Sequence, residues 1–196
     1  SGFDRFATVK TLYSLMSAGV VGTRDPTLEL LGQTMAIALK GPIDVYNLTF
    51  LTTVSTSDVS AHLRIESVDD EPMEVRISAG VRDAGEGGAL IYFCESRTPA
   101  SIVKRMALET SGYVVLVNIN SRDAVVASRP DIALMAEIGD RPYVVAAYAS
   151  LADEIVSADQ VRHLLELPDK VPVLVTGLRE PEETAAVIVA LTKLIP

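Results

Sequence analysis

The chain has 196 residues, with 17 Lys and Arg against 26 Asp and Glu, so its formal charge is −9. Hydrophobic residues make up 48% and the mean hydropathy is +0.30, which supplies a core and excludes a disordered acidic tail. The acidic balance argues against a basic nucleic-acid footprint and against attraction to an anionic membrane, and two histidines with one cysteine are too few ligands for a zinc site.

Ser1-Gly2 has the look of a cleavage scar, and no basic-then-apolar leader follows it. Apolar runs such as Tyr113–Val117 fall far short of the roughly 20 residues of a membrane span. The single cysteine, Cys94, falls in an apolar run and has no partner for an internal disulfide, which fits a reducing cytoplasm.

In chain order, residues 3–40 read as two helices. Val9, Leu12, Tyr13, Leu15 and Met16 form a stripe over Thr8–Ala18 that stops at Gly19. Asp25-Pro26 then opens a second helix carrying Leu28, Leu30, Leu31, Met35 and Leu39, ended by Gly41-Pro42. From Ile43 the pattern alternates. Val45–Leu51 reads as a strand, Asp58–Ile65 as a short helix, and Met73–Ile77 as an edge strand. A Gly-rich loop over Asp83–Gly88 joins that strand to Ala89–Cys94. Pro99–Thr110 is helical, Tyr113–Asn118 a core strand, and Ala124–Ile138 a helix that Pro130 interrupts. Tyr143–Ala147, a helix over Ala158–Leu167 capped by Ser157, Val171–Val175 and a helix over Glu180–Leu194 complete the chain. Such alternation implies an α/β domain over 43–196, preceded by a helical extension over 1–42. Its sheet is expected to be mostly parallel, with one antiparallel edge strand and helices on both faces.

This element order resembles that of Ras-like small GTPases, most closely the bacterial gliding-motility and conservon types, over about residues 44–196. Tyr143–Leu151 resembles the strand leading to the guanine-reading NKxD motif, and Ser157–Leu165 the helix after it. Pro172–Leu178 with the Glu180–Leu194 helix resembles the last strand, base-capping loop and final helix. The resemblance implies a three-layer P-loop domain with a phosphate loop after the first strand.

The sharp motifs are altered in this chain. A phosphate loop of the form GxxxxGK[ST] needs glycines, a lysine and a hydroxyl, and at those places the sequence offers Thr52, Ser57, Asp58 and Val59. Putting Asp58 where the lysine belongs turns an attraction to phosphate into a repulsion, each of about 4 kcal/mol at about 4 Å with an effective dielectric of about 20. Cys94 to Arg97 stands for DxxG without its glycine, and Ala147, Tyr148 and Ser150 replace the base-reading positions of NKxD. Thr176 opens the base-capping loop.

Phosphoryl transfer is mostly positioning and charge neutralisation, so the expectation is a pseudo-GTPase with no catalytic residue, no metal and no cofactor. Its expected partner is a protein in bacterial signalling or polarity: an active small GTPase, a regulator of one, or a second copy in a homodimer. The alternative is a nucleotide sensor or weak GTPase that holds purine through backbone amides, with Thr52–Ser57 and Thr176-Gly177 lining one pocket.

Overall fold

Gly41-Pro42 ends one element and Asp44 opens the next, and that punctuation decides how the chain lays out its sheet. The computed structural model describes residues 35–68, 71–84, 87–95, 97–107, 110–139, 141–150 and 155–196. Their elements are β1 Met35–Lys40, α1 Asp44–Val54, β2 Ser60–Val68, β3 Glu71–Ala84, β4 Gly87–Cys94, α2 Ala100–Met106 and β5 Gly112–Asn118. After these come α3 Arg122–Val126, α4 Arg129–Ile138, β6 Tyr143–Tyr148, α5 Ala158–Leu164, β7 Val173–Val175 and α6 Pro181–Thr192. The strands form one sheet of seven in the order β2-β3-β4-β1-β5-β6-β7. Pairing is parallel from β4 through β1, β5 and β6 to β7, whereas β3 runs against both its neighbours.

Side-chain alternation along the central strands feeds two cores. Ile37, Leu39, Ile91, Val114, Leu116 and Ala146 point to one face, which Phe50, Leu51 and Val54 of α1 and Val187, Ile188 and Leu191 of α6 cover. Ala38, Tyr92, Val115, Val117, Val145 and Ala147 point to the other, under Ile102 and Met106 of α2, Val125 of α3, Leu134 and Met135 of α4, and Val161 of α5. A strand buried on both faces reads as a continuous apolar run, which is why β5 and β6 stand out in the sequence.

From Gly87 onward the predicted elements appear with small shifts of boundary. Ser157 caps α5 through a reciprocal box: its hydroxyl accepts from Gln160 N at 3.3 Å, and Gln160 Oε1 accepts from Ser157 N at 3.0 Å. Pro130 lies in the first turn of α4, so the helix predicted over Ala124–Ile138 is two helices separated by Ala127-Ser128.

The first half departs from the sequence reading. Met35–Lys40, expected to close a helix, is β1, the central strand, so the sheet begins inside the stretch assigned to the extension. The helix predicted over Thr8–Ala18 and the start of the second lie outside the described residues. Val45–Leu51 is no strand but the body of α1: Asn47, Phe50, Leu51 and Val54 are its buried positions, spaced at i, i+3, i+4 and i+7. Tertiary burial outweighs the β-propensity of its Val, Tyr, Phe and Thr residues. Asp58–Ile65, expected as a helix, mostly forms β2, and β2 rather than Met73–Ile77 is the sheet edge. The reversed strand is therefore one place in from the edge.

Positions 48 and 50 share a face in a strand but lie on opposite sides of a helix. Phe50 is fully buried and Leu48 is 42% exposed. Chemical denaturation is expected to show Phe50→Ala losing about 3–5 kcal/mol, while Leu48→Ala changes stability by about 0.5 kcal/mol. Equal losses at the two positions would contradict the helix.

Candidate functional site

In an open parallel sheet, ligands bind outside the carboxyl ends of the strands, where the chain reverses its direction of travel across the sheet. Here that place is the end of β1, flanked by the ends of β4, β5, β6 and β7. The sequence reading put the phosphate loop elsewhere. Thr52 is an exposed residue of α1, and Ser57, Asp58 and Val59 follow that helix. Thr56 N donates to Val81 O at 2.8 Å, and Val81 N donates to Ser57 Oγ at 2.9 Å. Val81 pairs with Leu90, and Leu90 with Ala36 near the start of β1. The supposed loop thus sits at the level of the amino end of the parallel strands. Thr52–Ser57 and Thr176-Gly177 cannot line one pocket, because Thr176 follows the carboxyl end of β7.

The true connection from β1 to its helix is Gly41-Pro42-Ile43, three residues. Gly41 is buried under the helix it precedes: a Cβ there would lie 2.8 Å from Asn47 Oδ1, 3.0 Å from Leu116 Cβ and 3.3 Å from Leu116 O. Asn47, itself 1% exposed, donates from Nδ2 to Gly41 O at 3.2 Å. The side chain of the first helical turn thereby closes the turn before it. Asp44 lies in that same first turn, where a carboxylate complements the positive end of the helix and opposes an incoming phosphate. Asp44, and not Asp58, is therefore the acidic residue at the start of the helix that follows β1.

Lys40, the last residue of β1, is committed to the other face. Its Nζ lies 3.5 Å from Asp131 Oδ1 at the start of α4, with side chains 16% and 13% exposed. Burial holds the Asp131 carboxyl above its ordinary range, and the charge and hydrogen bond of Lys40 offset that push only in part. Beside Lys40 a cavity of about 20 Å³, large enough for one water, is lined also by Tyr92, Cys94, Met106 and Tyr113 among others. Cys94 is half-buried at the end of β4, its Sγ 3.4 Å from Met106 Sδ, and Arg97 is exposed in the loop beyond.

At the positions that the sequence reading aligned with NKxD, Ala147 is fully buried and Tyr148 is 1% exposed, both in β6. The Tyr148 ring stacks obliquely on Tyr46 of α1 with centroids 4.9 Å apart, so an aromatic pair fills the space above β6. Burial pushes the Tyr148 phenol far above its ordinary range, with Tyr46 adding to the shift. Ser150 is exposed, but its amide donates to Asn120 Oδ1 at 3.0 Å, and Asn120 Nδ2 donates to Ser150 Oγ at 2.6 Å. Asn118 Oδ1 in turn accepts from Asn120 N at 2.9 Å. Thr176 is buried and extends the ladder, its N donating to Ala147 O at 2.9 Å. The next amide, Gly177 N, donates to Glu183 Oε2 of α6 at 2.5 Å.

The structure therefore brings Tyr148, Ser150, Thr176 and Cys94 to the carboxyl edge and sends Thr52, Ser57, Asp58 and Val59 away from it. Sequence reasoning missed Lys40, Asn47, Asn118, Asn120, Asp131 and Glu183. The Asn-x-Asn-Ser that follows an apolar strand was the visible signal for the clasp between β5 and β6. No group of His, Cys, Asp and Glu able to hold a metal occurs among the described residues, nor does a helix long and apolar enough to cross a membrane. No protein-family model and no curated protein matches the chain.

An acid whose folded-state pKa is raised loses its contribution to stability as pH climbs from the ordinary carboxylate range through the raised value. Lys40→Met removes the offsetting cation and is expected to cost about 3 kcal/mol at neutral pH, the low end for breaking a buried pair. That deficit should shrink as pH falls into the carboxylate range and Asp131 takes its proton. Denaturant melts of both proteins across pH check this, and a deficit independent of pH would contradict it.

Proposed function

We propose that this chain is a Ras-like domain that has given up nucleotide and works through protein contact, as a scaffold in a bacterial signalling or polarity system. Its partner is an active small GTPase, a regulator of one, or a second copy. The observation that carries this reading is the three-residue β1–α1 connection, closed by Asn47 onto Gly41 O. A phosphate cradle needs a loop of outward-facing amides between strand and helix, and here that loop is too short to form one.

Three further observations support it. The amides of Asn120, Ser150 and Gly177 already donate within the chain, which removes the donors a backbone-only purine sensor would use. Tyr46 and Tyr148 occupy the space above β6. The order of elements is compatible with that of a G domain, with one strand more, β2, on the outer side of the reversed strand β3. A domain without nucleotide-ordered loops holds one conformation, which suits a scaffold better than a switch.

Thermal unfolding with GTP, GDP or ATP plus magnesium is expected to match unfolding in buffer. A ligand at about 100 times its Kd would add about 2.7 kcal/mol. A saturable rise with any nucleotide would falsify the nucleotide-free reading.

A further inference from the structure

The two edges of the sheet are unlike. β7 is three residues long and follows Pro172, both devices that blunt an edge. β2 is nine residues, SAHLRIESV, with neither proline nor lysine. Its full length from Ser60 to Val68 is in register with β3 on one side, and it ends the strand order on the other. Among the described residues no strand pairs with that outer side, and an edge of this length is a template for a further strand.

The charges of β2 select the strand it accepts. In its sequence Arg64 and Glu66 are the residues of charged type, one of each sign, at positions symmetric about Ile65. Antiparallel pairing of β2 with a second β2, with the two-fold axis at Ile65, sets Arg64 of each copy against Glu66 of the other. Leu63 then meets Ser67 and His62 meets Val68. Shifting the axis to Arg64 or to Glu66 instead places like charges opposite each other, so one register is favoured over its neighbours. Two copies of a chain with charge −9 repel at a distance, and a seam with locally alternating sign is a place where they can still meet.

We infer that β2 is a homodimer interface in which two chains join edge to edge about Ile65, making one continuous sheet of two seven-stranded halves. The inference rests on the protein-contact reading above and deepens it by naming the partner as a second copy.

The test is sedimentation of the full chain across the micromolar to millimolar range, the regime of a small edge-to-edge seam. Wild type is expected to dimerise. Arg64→Glu, which turns two attractive oppositions into repulsive ones, should weaken the dimer about tenfold, and Arg64→Glu with Glu66→Arg should restore it. Circular dichroism confirms that each variant is folded. Independently, Ile65→Cys in a Cys94→Ser background should form an intermolecular disulfide on mild oxidation, since directly opposed Cα atoms lie about 4.5–5.5 Å apart. Leu63→Cys should not, because its two copies are offset by four residues, about 13 Å. A monomeric wild type, a charge swap that fails to rescue, or equal cross-linking at 63 and 65 overturns the pairing. A monomer that ignores GTP overturns the pairing alone, whereas a dimer that binds GTP overturns the nucleotide-free reading alone.

Discussion

Everything at the carboxyl edge of this sheet depends on how tightly β1 turns into α1. With three residues between strand and helix, the first helical turn lies directly on the end of β1, and Gly41 has no room for a side chain between Asn47 and Leu116. The Asn47-to-Gly41 hydrogen bond then satisfies a buried carbonyl that would otherwise cost about 1–3 kcal/mol. Because α1 starts so close to the sheet, Phe50, Leu51 and Val54 fall onto Ile37, Leu39 and Ile91, and Tyr46 meets Tyr148. A longer, glycine-rich loop would lift the helix start and open the space those contacts fill.

The same economy extends along the edge. Asp44 occupies the positive end of α1, Lys40 is drawn to Asp131 on the opposite face, and the amides after β5, β6 and β7 end on Asn118, Asn120 and Glu183. The amides of Asn120, Ser150 and Gly177 thus all have partners within the chain. The buried ion pair adds little net stability by itself, but breaking it leaves an uncompensated charge, so it fixes where α4 begins against β1.

How much of this was legible in the sequence depended on local signals agreeing with tertiary ones. From β4 to α6 they agreed: continuous apolar runs made β5 and β6, Ser157 with Gln160 made a capping box, and Pro130 broke a helix. In the first half they conflicted. Met, Ala, Leu and Lys make β1 look helical, while Val, Tyr, Thr and Phe make α1 look extended. The deciding pattern, Asn47, Phe50, Leu51 and Val54 at helical spacing, includes a buried asparagine that hydropathy counts as polar. Shifting the first strand by one element carried the phosphate-loop assignment to the wrong end of the sheet. Ala147, Tyr148 and Ser150, read from the clear β6, do fall at the carboxyl end of that strand, whereas the packing of Tyr46 on Tyr148 depends on α1 and was invisible.

The most direct measurement is an amide-resolved NMR titration with GTP and magnesium, paired with hydrogen exchange. A sealed edge predicts slow exchange at Asn120, Ser150 and Gly177 and unmoved resonances there and at Gly41 up to millimolar nucleotide. Saturable shifts at Gly41 together with Ser150 or Gly177 would show that nucleotide still enters and would contradict the sealed turn.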